Sequence, residues 1–216
     1  MSDLPGWLDP LVEATRHLDG TELSRFLPPD DTGRQSAVLI LFGDGPDVLL
    51  IQRASDMRSH AGQPAFPGGA LDPGDDGPVA AALREAQEET GLNPAGVQVI
   101  HELPQLWLPP SNYVVTPVLA YWREPSPVAA IDPAEVESVH RVAIADLTDP
   151  GNRVKVRHPS GYIGNGFRGG GDARLGVHRR PARPDHSAGR LGAALGFRTY
   201  RRHRMDWMRE LWVPSI

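Results

Sequence analysis

Val79-Ala80-Ala81-Ala82-Leu83-Arg84-Glu85-Ala86-Gln87-Glu88-Glu89-Thr90-Gly91 is the stretch on which the fold turns. Its alanines, leucine and glutamates favour a helix, and Gly91 stands where a helix C-terminus wants a left-handed residue. Glu85, Glu88 and Glu89 stand at i, i+3 and i+4, so their carboxylates project from one face. Ala82, Leu83, Ala86 and Thr90 are expected to pack on the other. Like charges within one turn repel, and a hard divalent cation reverses that balance because it prefers carboxylate oxygen. Arg84 adjoins the cluster and can pair with Glu88 at i+4. Taken alone, the run from Arg84 to Glu89 reads more readily as a solvated acidic helix face. The residues upstream change that balance. Phe66-Pro67-Gly68-Gly69 carries glycines that let backbone approach a metal or a phosphate closely, and Asp75 lies between them and the helix.

Outward from the helix, the chain reads as strands on both sides of it. Ser36-Ala37-Val38-Leu39-Ile40-Leu41-Phe42 is a buried strand by length and branching, turned by Gly43-Asp44-Gly45-Pro46 into Asp47-Val48-Leu49-Leu50-Ile51-Gln52-Arg53. A Gly/Pro-rich stretch, residues 61–78, then leads to the helix. Strands are expected at Val97–Leu103, at Tyr113–Trp122, near Val139 and at Lys155-Val156-Arg157. Near the N-terminus Leu8, Leu11, Val12 and Leu18 recur at helical spacing, and Pro28-Pro29-Asp30-Asp31 breaks the chain. Strands clustered around one central helix predict an α+β sandwich with a mixed β-sheet, without internal repeats.

Composition narrows the chemistry. With 216 residues, 40% hydrophobic and 23% charged, the chain can form one domain of ordinary size with a tail. The absence of cysteine excludes disulfides, thiolate nucleophiles and Cys-ligated metals. Any metal must be held by oxygen or imidazole. No run of 18 apolar residues predicts a membrane span, and the opening residues show no secretory leader, so a cytoplasmic location is expected. The net charge of −5 is an average. Residues 1–167 carry 11 basic and 23 acidic side chains, whereas residues 168–216 carry 11 arginines and 4 acids.

The spacing resembles the signature of the Nudix hydrolase superfamily. Gly69 is followed by five residues, Asp75, eight residues, and then Arg84-Glu85-Ala86-Gln87-Glu88-Glu89-Thr90-Gly91-Leu92. Two departures from the general pattern, Asp for Glu and the longer second gap, resemble the coenzyme A diphosphatase branch. So does the block Leu49-Leu50-Ile51-Gln52-Arg53-Ala54-Ser55-Asp56-Met57-Arg58-Ser59-His60-Ala61-Gly62-Gln63-Pro64-Ala65 before the loop. The resemblance is contiguous over residues 49–92 and extends over about residues 35–167. It implies a Nudix-type α/β/α sandwich with a central catalytic helix. It also implies a hydrolase that uses Mg²⁺ or Mn²⁺ to attack a nucleoside diphosphate derivative with water. For coenzyme A or acyl-CoA as the small-molecule substrate, the products would be 3′,5′-ADP and 4′-phosphopantetheine or its acylated form. The matching positions make Glu85 and Glu89 the first metal ligands, with Glu88 beside them and the Gly69 carbonyl as a further one. Arg84 is expected to orient the glutamates. The general base stays open between a helix glutamate and Glu135 or Glu137, which also read as a solvated loop.

Coenzyme A carries a 3′-phosphate beyond its diphosphate, so extra cations are expected in the site. Arg53, Arg58 and His60, with Gln63, precede the loop and are the substrate-side candidates. Arg53 reads equally as a strand-end ion pair, and Gln63 as a brace of the loop. Trp107 and Tyr113 could stack on adenine, although strand aromatics are more often core. A different substrate, such as ADP-ribose or NADH, is the sister reading. A nucleic-acid module built on the basic tail is the less favoured one.

The chain divides into an N-terminal helix and lead-in (1–34), a Nudix domain (35–167) and an atypical Arg-rich tail (168–216). The resemblance implies a leucine-rich closing helix near a Trp-Gly-x-Thr-Ala sequence. The tail lacks one, and Pro181 and Pro184 would break it. Synonymous codons for residues 175–186, shifted by one nucleotide, can encode Trp-Gly-Phe-Thr-Ala-Gly-Leu-Leu-Asp-Leu-Ile-Thr. Residues from about 168 onward are therefore expected to be read out of frame. Resequencing the gene across the Arg168 codon checks this, and an intact frame removes the idea.

Overall fold

A computed structural model describes residues 4–23, 33–55, 62–108, 111–157 and 163–167. Arg58, His60 and the tail 168–216 lie outside the described residues. Along the chain run α1 (Asp9–Arg16), α2 (Gly20–Leu23), β1 (Arg34–Gly43), β2 (Asp47–Arg53), β3 (Pro64–Ala65), β4 (Gly68–Ala70) and α3 (Gly77–Thr90). Then follow β5 (Val97–Glu102), β6 (Leu106–Leu108), β7 (Tyr113–Trp122), β8 (Val136–Ala143), α4 (Ile144–Thr148), β9 (Arg153–Arg157) and β10 (Ile163–Phe167).

The expected strands are present, and the one near Val139 is eight residues long. The Gly/Pro-rich stretch differs from expectation, since it contains β3 and β4. These are too short to show a period of two, and exist because Ile51 pairs with Ala65 and Ala37 with Gly69. Leu18 falls beyond α1, whose buried positions are Val12 and Thr15.

The main sheet runs β3-β2-β1-β7-β5, with β4 on β1, β6 on β7 and β8 on β2. β1 and β7 are parallel from Arg34↔Tyr113 to Phe42↔Tyr121, and its other pairings are antiparallel. The sheet is therefore mixed. β9 and β10 form a separate antiparallel pair.

Strand periodicity sorts the core into two layers. Ile40, Phe42, Leu50, Leu119 and Tyr121 face Leu8, Val12 and Leu147, which come from the α1 and α4 side. Leu39, Leu41, Leu49, Val118, Ala120 and Trp122 face Ala81, Ala82 and Ala86 of α3. Because α3 presents alanines, its backbone can lie close to β1 and β4. It ends at Gly91, at φ 69°, whose N–H donates to Gln87 O. That is the left-handed position predicted for this glycine. The arrangement is the α/β/α sandwich with a mixed sheet, and α3 is its central helix.

Candidate active site

The helix period alone would show three equivalent glutamates. The structure gives each a different environment. Arg84 is the organiser: its Nε and Nη2 donate to the two oxygens of Asp75 at 3.0 Å each, and Nη2 also donates to Ala70 O at 3.0 Å. Its Nη1 donates to Glu85 Oε1 and Glu88 Oε2, both at 3.0 Å. One guanidinium thus ties the β4–α3 loop to the carboxylate face, which uses its rigid fork of donors. These partners hold the Arg84 pKa above its usual value, with Asp75 foremost, and Arg84 in turn lowers the Asp75 carboxyl. The i+4 pairing with Glu88 is present, but the bidentate bond to Asp75, nine residues upstream, was not legible in the helix pattern.

Glu85 lies against β4. A Cβ on Gly69 would overlap the Glu85 carboxylate, so only glycine permits this approach. Burial pushes the Glu85 pKa up, against the opposing pull of Arg84. Glu89 lies deeper, 8% exposed, and its Oε2 accepts the Gly68 N–H at 3.0 Å. Burial raises its pKa to about 7, with Glu85 and Glu135 adding like charge and Arg53 opposing. Glu88 stays on the outer side, with its side chain 60% exposed against Arg84. The structure therefore brings Glu85, Glu89, Gly68 and Gly69 together, and leaves Glu88 at the rim.

On the far side of this group, β2 bulges between Gln52 and Arg53, the kind of irregularity that re-aims side chains near sites. Arg53 N donates to Gln63 O at 3.0 Å and Gly62 N to Arg53 O at 3.0 Å, so Gln63 braces the loop through its backbone. Arg53 Nε is buried without a hydrogen-bond partner among the described residues. Ala54 N donates to Glu135 O at 2.9 Å, which brings the β7–β8 loop to the same place. Glu137 is exposed on β8. Trp107 Nε1 donates to Asn112 Oδ1 at 3.2 Å, while the ring of Tyr113 is covered by the Arg34 guanidinium 4.8 Å away. Tyr113 is thus engaged by its own neighbour.

A profile of the NUDIX domain matches residues 32–159, more than half of the chain. The chain belongs to the Nudix family.

Its Nudix domain is 44% identical over 114 residues to a protein of Escherichia coli named "Uncharacterized Nudix hydrolase NudL", covering 52% of this chain and 58% of that one. A protein of the same name from Photorhabdus laumondii is 39% identical over 127 residues, covering 56% and 67% respectively. The chain thus spans about three-fifths to two-thirds of the length of these curated relatives. Among solved structures, a NUDIX hydrolase from Nitrosomonas europaea aligns with 53% of this chain and 60% of that one, at 20% identity and a TM-score of 0.44. Nudix enzymes generally use divalent metal ions, and the donor set of this chain fits such an ion. Glu85 and Glu89 supply oxygen only, both are raised by burial, and the Glu85 charge adds to the rise at Glu89. Among the described residues no group of three or more His, Asp or Glu side chains is arranged to hold a metal. Magnesium does not require one, since it keeps several waters and takes one or two carboxylates together with substrate phosphate.

Proposed function

We propose that this Nudix chain is a cytoplasmic hydrolase that cleaves the diphosphate of coenzyme A or acyl-CoA, giving 3′,5′-ADP and 4′-phosphopantetheine or its acylated form. The observation that carries this reading is the seating of Glu85 and Glu89 against the Gly68–Gly69 loop, with Arg84 tying that loop to the helix. In it, Glu85 and Glu89, with the Gly69 carbonyl, would hold Mg²⁺ or Mn²⁺, and Glu88, expected from the spacing as a third ligand, stays at the rim on Arg84. Held there, such a cation would neutralise charge on the diphosphate and lower the pKa of water. Arg84 is a positioning residue: it keeps Glu85 in register with the loop and leaves Glu89 to the Gly68 N–H. Arg53 acts electrostatically on Glu89 and has a buried Nε without a hydrogen-bond partner among the described residues, which suits an arginine that takes phosphate. With Arg58, His60 and Gln63 it binds the 3′-phosphate end of the substrate.

Mass spectrometry of the products from coenzyme A and Mg²⁺ in ¹⁸O-labelled water tests the proposal. The expected products are 3′,5′-ADP and 4′-phosphopantetheine, with one ¹⁸O in one of them. Inert coenzyme A alongside cleaved ADP-ribose or NADH would move the assignment to another nucleoside diphosphate derivative. Equal rates on coenzyme A and dephospho-CoA would remove the 3′-phosphate role of Arg53 and Arg58.

A further inference from the structure

The register of β2 on β8 changes beside Arg53, and the far face of these strands shows what holds the change there. Ile51 pairs with Val139 and Gln52 with Ser138, but Arg53 pairs with Val136, so Glu137 is passed over. An extra residue of this kind twists the strand pair locally and re-aims the side chain beside it. Here that side chain is Arg53, which acts on Glu89 and has a buried Nε without a hydrogen-bond partner among the described residues. The skip also has an electrostatic effect. In an unbroken register Glu137 would stand opposite Arg53, where opposite charges attract. In the observed one Glu137 is exposed and Val136 is buried.

Backbone pairing alone leaves the place of a one-residue skip open, because the ladder continues equally well on either side of it. On one side it is bounded by the bond from Ala54 N to Glu135 O, at 2.9 Å. On the other side the bound comes from side chains. Val48, Leu50 and Val142 belong to the layer under α1 and α4, and by alternation Gln52, Ser138 and His140 continue their face. All three are half-buried. Ser138 Oγ lies 2.7 Å from His140 Nε2 and donates to Gln52 Oε1 at 3.4 Å. A hydroxyl both donates and accepts, so the chain of three closes for either orientation of the Gln52 amide, with the imidazole taking the complementary role. Burial holds the His140 pKa below its usual value, which keeps the ring neutral and able to take either role. These bonds cross the strands at the last pair before the skip. Were the skip to move toward His140, Ser138 would leave Gln52 and the bonds would be lost.

We infer that Gln52, Ser138 and His140 are positioning residues for Arg53. From the face turned away from Glu85 and Glu89, they hold the skip at Glu137 and thereby aim the guanidinium toward α3. This rests on the reading of Arg53 as a phosphate-binding residue, and deepens it by naming what sets its direction.

The Nε–H resonance of Arg53 in the ¹⁵N-labelled full chain, identified by its loss in Arg53→Lys, tests the aim directly. The Arg84 Nε–H, held by Asp75, is the control for general loosening. Ser138 belongs to neither apolar cluster, so Ser138→Ala removes the central hydroxyl and spares the core. It is expected to shift the Arg53 resonance and leave that of Arg84 in place. With coenzyme A and Mg²⁺ it should raise KM about tenfold, the size of one hydrogen bond to a charged group, with kcat within about threefold. Ser138→Thr keeps the hydroxyl and should match the parent in both readouts. Deleting Glu137 removes the skip itself and should also shift Arg53, whereas Glu137→Ala keeps the extra residue and should not. An Arg53 resonance that stays in place in Ser138→Ala overturns the inference, as does one that moves together with Arg84 or moves equally in Ser138→Thr. Failure of the coenzyme A reading has a different mark: coenzyme A stays intact while the Arg53 resonance still follows Ser138.

Discussion

Glu85→Gln is expected to lower Mg²⁺-dependent turnover of coenzyme A by about a thousandfold or more, while the melting temperature stays close to that of the parent. The substitution keeps shape and removes only charge. The Glu85 carboxylate fills the space that a Gly69 side chain would take, and a carboxamide of equal size fits there. Its oxygen can still accept from Arg84 Nη1, now as a neutral partner. What is lost is half of the anionic pair formed with Glu89, and with it the proposed hold on a divalent cation. Steady-state kinetics with thermal melts of both proteins decides the matter. Turnover within tenfold of the parent would take Glu85 out of the reaction. A collapse of the fold would make it a structural residue instead.

Glu89→Gln should change the pH dependence of stability as well as abolish activity. Burial lifts the Glu89 pKa from 4.5 to about 7 in the folded chain. The folded protein therefore retains a proton that the unfolded chain releases near its ordinary value. The contribution from this group is fully present below about pH 4.5 and is lost as pH rises through about 7. A shift of this size corresponds to roughly 3 kcal/mol at alkaline pH. In metal-free protein the melting temperature should fall across this window for the parent and stay flatter for Glu89→Gln, whose oxygen can still accept the Gly68 N–H. Added Mg²⁺ should restore the parent at alkaline pH and do little for the variant. Melting curves that run parallel for the two proteins would show that Glu89 carries no such strain. The expected gain in stability with loss of activity is the usual relation where a site holds a charge in an unfavourable place.

Much of the architecture was legible because it repeats within short windows. The helix from residue 79, the strands around Leu39, Leu50 and Tyr113–Trp122, and Gly91 at the helix end all follow from local period and from the demand for a left-handed residue. The shorter pieces were not. β3, β4 and β10 are two to five residues long, and their strand character comes from the neighbour they pair with. The site divides in the same way. The spacing of Arg84, Glu85, Glu88 and Glu89 puts the side chains on one face. It cannot tell which of them is buried, because that depends on what covers the helix. Nor does it show Asp75 as the bidentate partner of Arg84, or Gly68, 21 residues from Glu89, as the donor to its carboxylate.

The amino-acid sequence alone therefore determined the longer elements, the carboxylate face and the expectation of a Nudix hydrolase, since each rests on residues within one window of chain. Only the tertiary structure decided how the glutamates differ and which side chains share a face of the sheet with the glycine loop. Parallel pairing of β1 with β7 aligns Ala37 with Thr116, and antiparallel pairing with β4 sets Gly69 beside Ala37. Gln35, Trp107 and the glycine loop thereby share one face of the sheet. Burial then raises the Glu89 pKa, because desolvation acts on where a carboxylate ends up and not on its place in the repeat.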